Sequence, residues 1–289
     1  ILNILFNGIF ILSWGSFYLN GGAYEAIIVS SILRWLAFFI SAAYLLYISS
    51  GDNTSYNIKR SISTISNNFF MLKNTLASKF RKIALPMALL QGVEVLAFSA
   101  VVFMAGWFGS DALAAHHATY TIMNLVYMSA IGVAGATSIR VGIAVGSQNV
   151  RDTKIAGIMG MIVAFTITLP VTLFTIFYPE LIAGIFFQDI EMIKITQGII
   201  FFVGFLCIFD TMMAVSLGAL RGTGDVWVPF FILSSCFWLC GVPLSYILSV
   251  NLEYGLIGLW AGIVFGLISS LLLLTPRFYI ISSKPIRKI

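Results

Sequence analysis

Long apolar runs, separated by short polar joints, fill this chain from end to end. Eight runs approach the roughly 20 residues that a helix needs to cross a hydrocarbon core about 30 Å thick. They are Leu2–Leu19, Ala26–Ile48, Ile83–Trp107, Ala118–Ile139, Ile155–Phe177, Ile195–Leu220, Val228–Val250 and Tyr254–Leu274. The runs are continuous rather than alternating, which points to helices and away from a β-barrel. The predicted fold is all-α, a polytopic transmembrane bundle of about eight spans.

One stretch breaks the pattern. Residues 51–82 are polar and rich in Ser, Asn and Lys, and divide two spans (1–50) from six (83–289). Within this linker Ile58, Ile62, Ile65, Phe69, Leu72 and Leu76 recur at helical spacing, which predicts an amphipathic segment on the cytoplasmic surface. A weak internal repeat supports the division. Asn3–Leu12 resembles Gly241–Val250, and each is followed by a short loop and a Gly-rich span. The first two spans therefore read as the end of one lobe, and the last six as a complete second lobe. The chain also opens on Ile1 within an apolar run, so a preceding lobe of four further helices is expected. Paired repeats of this kind mark transporters, with binding sites near the midplane.

Composition agrees. The chain is 60% hydrophobic and 9% charged, with mean hydropathy +1.00. A soluble domain is about 25% charged. The net charge of +5 records topology, not nucleic acid. With the linker in the cytoplasm, nearly all Lys and Arg fall at cytoplasmic connections, leaving Lys194 outside and Arg34 within the second span. The C-terminus is then cytoplasmic. Cys207, Cys236 and Cys240 all fall within spans, with no zinc-site spacing, and read as small buried apolar residues.

Two acids stand out against this apolar background. An ionisable group in a span costs a few kcal/mol or more and marks a functional site by default. Glu94 lies 12 residues beyond Lys82, and Asp210 11 residues before Arg221. At 1.5 Å per residue these are depths of about 18 and 16 Å from the cytoplasmic ends. The carboxylates therefore share one level near the midplane, though depth fixes only one coordinate of three. Gln91, one turn from Glu94, is a supporting amide. Two carboxylates buried together hold either a cation or a proton. Hard oxygen ligands suit Na⁺. The alternative is a pair of neutral acids bonding between helices.

Other residues carry weaker signals. His116 and His117, at the outer end of the fourth span, fit a proton relay, but the favoured reading is an interfacial helix start. Arg140 and Arg221 are expected to pin cytoplasmic helix ends and pair with acids such as Asp225. Met87, Met123, Met128, Met212 and Met213 are either packing or the soft lining of a promiscuous cavity. Glu25 is expected near the outer surface. Gly222–Asp225 reads GTGD, a pattern of intramembrane aspartyl proteases, but Asp225 falls in a cytoplasmic loop about 22 Å from Asp210 along the helix, too far for an acid pair. No enzyme is expected.

Leu85–Gly146, with its Pro, an acid eight residues on, LAAH and IRVG, resembles the second lobe of multidrug and toxic compound extrusion (MATE) transporters. Asp210–Asp225, DTMMAVSLGALRGTGD, resembles the family's LRGxGD loop and its preceding acid; Asp189 and the VPLSYIL run fit as well. The resemblance implies an antiporter in the bacterial inner membrane. It would export small cationic, partly aromatic compounds in exchange for Na⁺ or H⁺, with Glu94 and Asp210 coupling the cation. It implies no cofactor beyond that ion and a monomer in the bilayer. Leu206 stands where some Na⁺-coupled members have Tyr, His117 where Gln is usual, and Thr121 where Asn is common. These departures leave the coupling ion open. The alternative is a lipid or lipid-linked oligosaccharide flippase of the same plan, whose cavity should carry basic side chains for diphosphate.

Overall fold

The computed structural model describes residues 23–49 and 75–283. The first predicted span, most of the linker and the first half of the internal repeat lie outside them. The chain divides into two compact units, residues 1–78 and 79–289. In the first, α1 (Ala23–Ser49) carries the second predicted span. Its described side chains point largely outward, with Trp35, Phe38 and Phe39 clustered at ring distances of 5.6–6.1 Å. An apolar exterior of this kind suits lipid, because a helix satisfies its own backbone. The side chain of Glu25 lies outside what the structure describes.

Among its described residues, the second unit holds six helices long and apolar enough to cross a membrane. They begin with α2 (Thr75–Gly106), α3 (Ser110–Gly146) and α4 (Val150–Phe177). After a short α5 (Pro179–Phe186) comes α6 (Ile190–Thr223). A broken span, Trp227–Asn251, leads to α9 (Gly255–Ser282). Among the described residues every regular element is helical. The chain is an integral membrane protein. α2 begins at Thr75, inside the stretch read as linker.

α6 is the axis, packed by α3, α4, α5 and α9. Small residues make this possible, since helices in lipid associate through close packing rather than hydrophobic exclusion. Gly218 and Gly222 of α6 lie against the Ala134 and Ser138 carbonyls of α3. A Cβ on Gly222 would sit 2.5 Å from the Ser138 oxygen. Similarly, α9 meets the broken span at Gly258 and Gly262, where Ser245 Oγ donates to the Leu259 carbonyl at 2.8 Å.

Two features depart from the expected plan. α5, an eight-residue helix with Pro179 in its first turn, buries Ile182 and Ala183 in a small cluster with Ile200 of α6. The seventh span is not one regular helix. It runs as α7 (Trp227–Ser235), a π-helical turn (Cys236–Gly241), α8 (Val242–Tyr246) and a second π-helical turn (Ile247–Asn251). Pro243 has no amide hydrogen, and its ring crowds the preceding turn; a wider turn there accommodates both.

The C-terminal end of α6 is closed by Gly224 at φ 82°, with the Gly224 and Asp225 amides donating to the Arg221 and Leu220 carbonyls. Only glycine adopts this left-handed turn without cost, so the LRGTGD sequence encodes a helix stop. The expected pairing of Asp225 with Arg221 or Arg140 is corrected. Beyond this turn Asp225 accepts from Arg277 Nε of α9 at 2.9 Å. The cysteine reading also needs amending: Cys207 and Cys236 are buried, but Cys240 is exposed.

Candidate functional site

α2 is held differently from its neighbours. Its backbone stays out of the closely packed helix pairs, and side chains span the gap. Phe98 meets Tyr120 of α3 and Phe237 of the broken span, at ring distances of 5.8 and 6.0 Å. Trp238 Nε1 donates to the Val93 carbonyl at 3.3 Å. The stand-off leaves a cavity of about 290 Å³ between α2, α3 and α6.

The helical repeat determines what lines it. From α2 come Gln91, Glu94, Val95 and Phe98, spaced i, i+3, i+4 and i+7. α3 presents Tyr120, Met123, Asn124, Tyr127, Met128 and Ile131, again one face. α6 adds Asp210. The two acids that share a depth therefore also share a cavity. Glu94 is 6% exposed and Asp210 2%. The Tyr127 hydroxyl donates to Glu94 Oε1 at 3.3 Å. Asp210 Oδ1 is buried and meets no hydrogen-bond donor of the protein. Two lining residues are acids and none is basic, so this cavity suits a cation better than an anion.

Sequence reasoning missed Tyr127 and Asn124. The depth arithmetic would have found Tyr127, which lies 13 residues before Arg140, or about 20 Å at 1.5 Å per residue. Of the five methionines, Met123 and Met128 line the cavity. Met213 is core, Met212 packs against it, and Met87 lines a small recess beside Arg221 and Asp225.

The interfacial reading of the histidine pair is corrected for His116. α3 starts at Ser110, so His116 is already in its second turn, and it is 1% exposed. It packs against Tyr120 and against Trp260 of α9. His117 is exposed. The protease reading falls on geometry, because Asp225 is tied to Arg277 at the bundle end and does not line the cavity with Asp210. Among the described residues no cluster of three or more His, Cys, Asp or Glu could hold a metal ion.

Comparison with known proteins places this architecture. The sequence model of the MatE family matches residues 86–247. A probable multidrug resistance protein NorM of Bacillus cereus is 27% identical over 284 residues, covering 98% of this chain and 60% of the relative. The multidrug resistance protein NorM of Aliivibrio fischeri is 29% identical over 210 residues, covering 71% and 46%. This chain thus spans about 60% or less of the length of these relatives. Among solved structures, the eukaryotic MATE transporter AtDTX14 superposes with a TM-score of 0.77 at 19% identity, over 96% of this chain and 59% of that one. A MATE structure in the straight conformation gives 0.73 at 21% identity, over 98% and 61%. At such identities the structural likeness speaks for the fold. With the family model matching more than half of its residues, the chain belongs to the MATE family of membrane transporters, not to a family of enzymes.

Proposed function

We propose that this chain forms part of an efflux antiporter that exports small cationic or aromatic compounds in exchange for Na⁺ or H⁺. Glu94 and Asp210 are its cation-loading pair. The observation that carries this reading is their convergence on one cavity, with Asp210 Oδ1 lacking a protein donor there. Unpaired charge so deep is costly, and a bound Na⁺ or proton relieves it. Gln91 and Tyr127 supply further oxygens beside the acids. The NorM relatives, described as multidrug resistance proteins, support the substrate class.

The mechanism follows from charge balance. With one acid of the pair already carrying a proton, a cation entering from outside neutralises the other and competes with the Tyr127 hydroxyl for Glu94. That changes the link between α2 and α3 and biases the lobe toward releasing its substrate outward. The membrane potential contributes about 2.3 kcal/mol per charge per 100 mV. This supports more than tenfold accumulation against a gradient. The protein would reside in a bacterial inner membrane with its C-terminus in the cytoplasm, as the basic residues favour.

The test is efflux of a fluorescent organic cation from cells carrying the full-length gene. Glu94→Gln and Asp210→Asn, at equal expression, should each reduce efflux to background. Normal pumping by both variants would refute the reading. Replacing Na⁺ with choline, and separately adding a protonophore, identifies the ion.

A further inference from the structure

His116 has no part in the loading pair, yet its surroundings are unusual. The ring is buried in the second turn of α3, and neither Nδ1 nor Nε2 has a hydrogen-bond partner in the protein. Trp260 of α9, with its ring 5.2 Å away, is also buried, and its Nε1 is likewise unpartnered. Unsatisfied polar atoms are rare in native interiors, and each points to strain, a guest or chemistry. Here three cluster at one contact between two helices. A simple packing position would be filled by Leu or Phe without this cost.

The position is informative as well. His116, Tyr120, Met123 and Tyr127 share one face of α3, spaced i, i+4, i+7 and i+11. The imidazole lies nearly parallel to the Tyr120 ring, 8° apart with centroids at 6.2 Å, and Tyr120 itself lines the carboxylate cavity. A single aromatic ring thus separates His116 from the cavity. On the other side His117, with its ring 5.9 Å from His116, is exposed. His116 lies six residues into α3, about 9 Å from the outer end at 1.5 Å per residue.

We propose that His116 is a proton-carrying station between the outer face and the cavity that holds Glu94 and Asp210. A neutral imidazole has one bare nitrogen and one N–H. It accepts a proton from the outer side on the bare nitrogen and releases the other proton toward the cavity. The ring ends neutral, with its tautomer exchanged, and one proton has moved inward. The ring nearest to it on α9 is Trp260, with centroids 5.2 Å apart and planes tilted by 36°, within the roughly 6 Å over which a cation is attracted to an aromatic ring. The titratable groups facing it are His117 and Tyr120, both from α3; α9 presents Trp260, which does not titrate. No acid is needed beside a station that only passes protons on.

This inference rests on the reading of Glu94 and Asp210 as the loading pair, and one experiment separates the two. The full-length transporter in lipid nanodiscs is given a rapid downward pH step, and proton uptake is followed with an indicator dye. The end point counts the protons bound, and the rate reports their delivery. His116→Gln, which keeps a hydrogen-bonding side chain, should slow uptake about tenfold or more, the scale of a lost proton-transfer group. It should leave the carboxylates' share of the end point intact. Tyr120→Phe keeps the ring and removes only the hydroxyl next in line, so it should slow uptake too and serves if His116→Gln fails to fold. His117→Gln, exposed and outside the stack, should stay near the parent rate. Parental rates in folded His116→Gln, or in Tyr120→Phe when that variant stands alone, overturn the station. An end point unchanged in a Glu94→Gln, Asp210→Asn double variant overturns the loading pair instead.

Discussion

Adding one methyl group at Gly222 should wedge α3 from α6. Ordinary contact between a Cβ and a neighbouring atom begins near 3.4 Å, and a Cβ on Gly222 would lie 2.5 Å from the Ser138 carbonyl oxygen. The shortfall is about 0.9 Å, and the obstacle is backbone, which cannot swing aside as a side chain can. At Gly218 the clash is again with backbone, the carbonyl of Ala134. Overpacking of this kind costs about 1–3 kcal/mol. Alanine normally gains up to about 1 kcal/mol over glycine in a helix, which offsets part of the clash, so the clash is read from the difference between this variant and one at a glycine with open space. Gly198 of α6 is the control, since a Cβ there meets nothing within 4 Å. Thermal unfolding of the full-length protein in detergent, followed by loss of the monodisperse peak, measures the difference. Gly222→Ala and Gly218→Ala should each be less stable than the parent, by about 1–2 kcal/mol, while Gly198→Ala is equal or better. The wedge should also reach function, because Tyr127 and Asp210 sit on the same two helices, and efflux should fall beyond any loss of protein. If Gly222→Ala proves as stable as Gly198→Ala, the close α3–α6 contact is wrong.

Further expectations are smaller. Tyr127→Phe removes the hydroxyl bonded to Glu94 at 3.3 Å. That bond is longer than the optimum near 2.7–2.8 Å, so it contributes about 1 kcal/mol. The apparent affinity for the coupling ion in efflux assays should shift about fivefold, and an unchanged affinity would remove Tyr127 from the site. Arg277→Ala breaks the pair with Asp225, in which the arginine is 37% exposed. A pair open to solvent on its arginine side contributes about 1 kcal/mol or less, so efflux should change by less than about fivefold, and a larger loss would assign the pair a gating role.

Much of this lobe was readable from period and depth. Six apolar runs predicted six crossing helices, because in lipid a span must satisfy its own backbone. Glu94 and Asp210 were conspicuous because they are the only acids so deep within the apolar runs. The departures have particular causes. The broken seventh span hid behind uniformly apolar residues; the first of its π-helical turns precedes Pro243, whose ring crowds that turn, and nothing in the sequence marks the second. α5 was too short to separate from the run before it. Asp225 chose Arg277 over Arg221 because the left-handed turn at Gly224 sets where its carboxylate lands, a matter of angle rather than spacing.

The histidine pair shows the limit most directly. By sequence, His116 and His117 are two equal neighbours at a helix start. In the fold, successive helical residues differ by about 100°, so one ring enters the bundle beside Trp260 and the other faces out. By itself, the sequence determined the class of protein, the apolar spans, and the two acids as the residues to watch, since these depend on hydropathy, charge and rise per residue. Only the tertiary structure decided that the acids share a cavity with Tyr127, and that His116 lies buried one ring away. Those facts depend on rotation about each helix axis and on which helices touch. Both are set by contacts between segments far apart in the chain: glycines between α3 and α6, and Phe98 and Trp238 around α2.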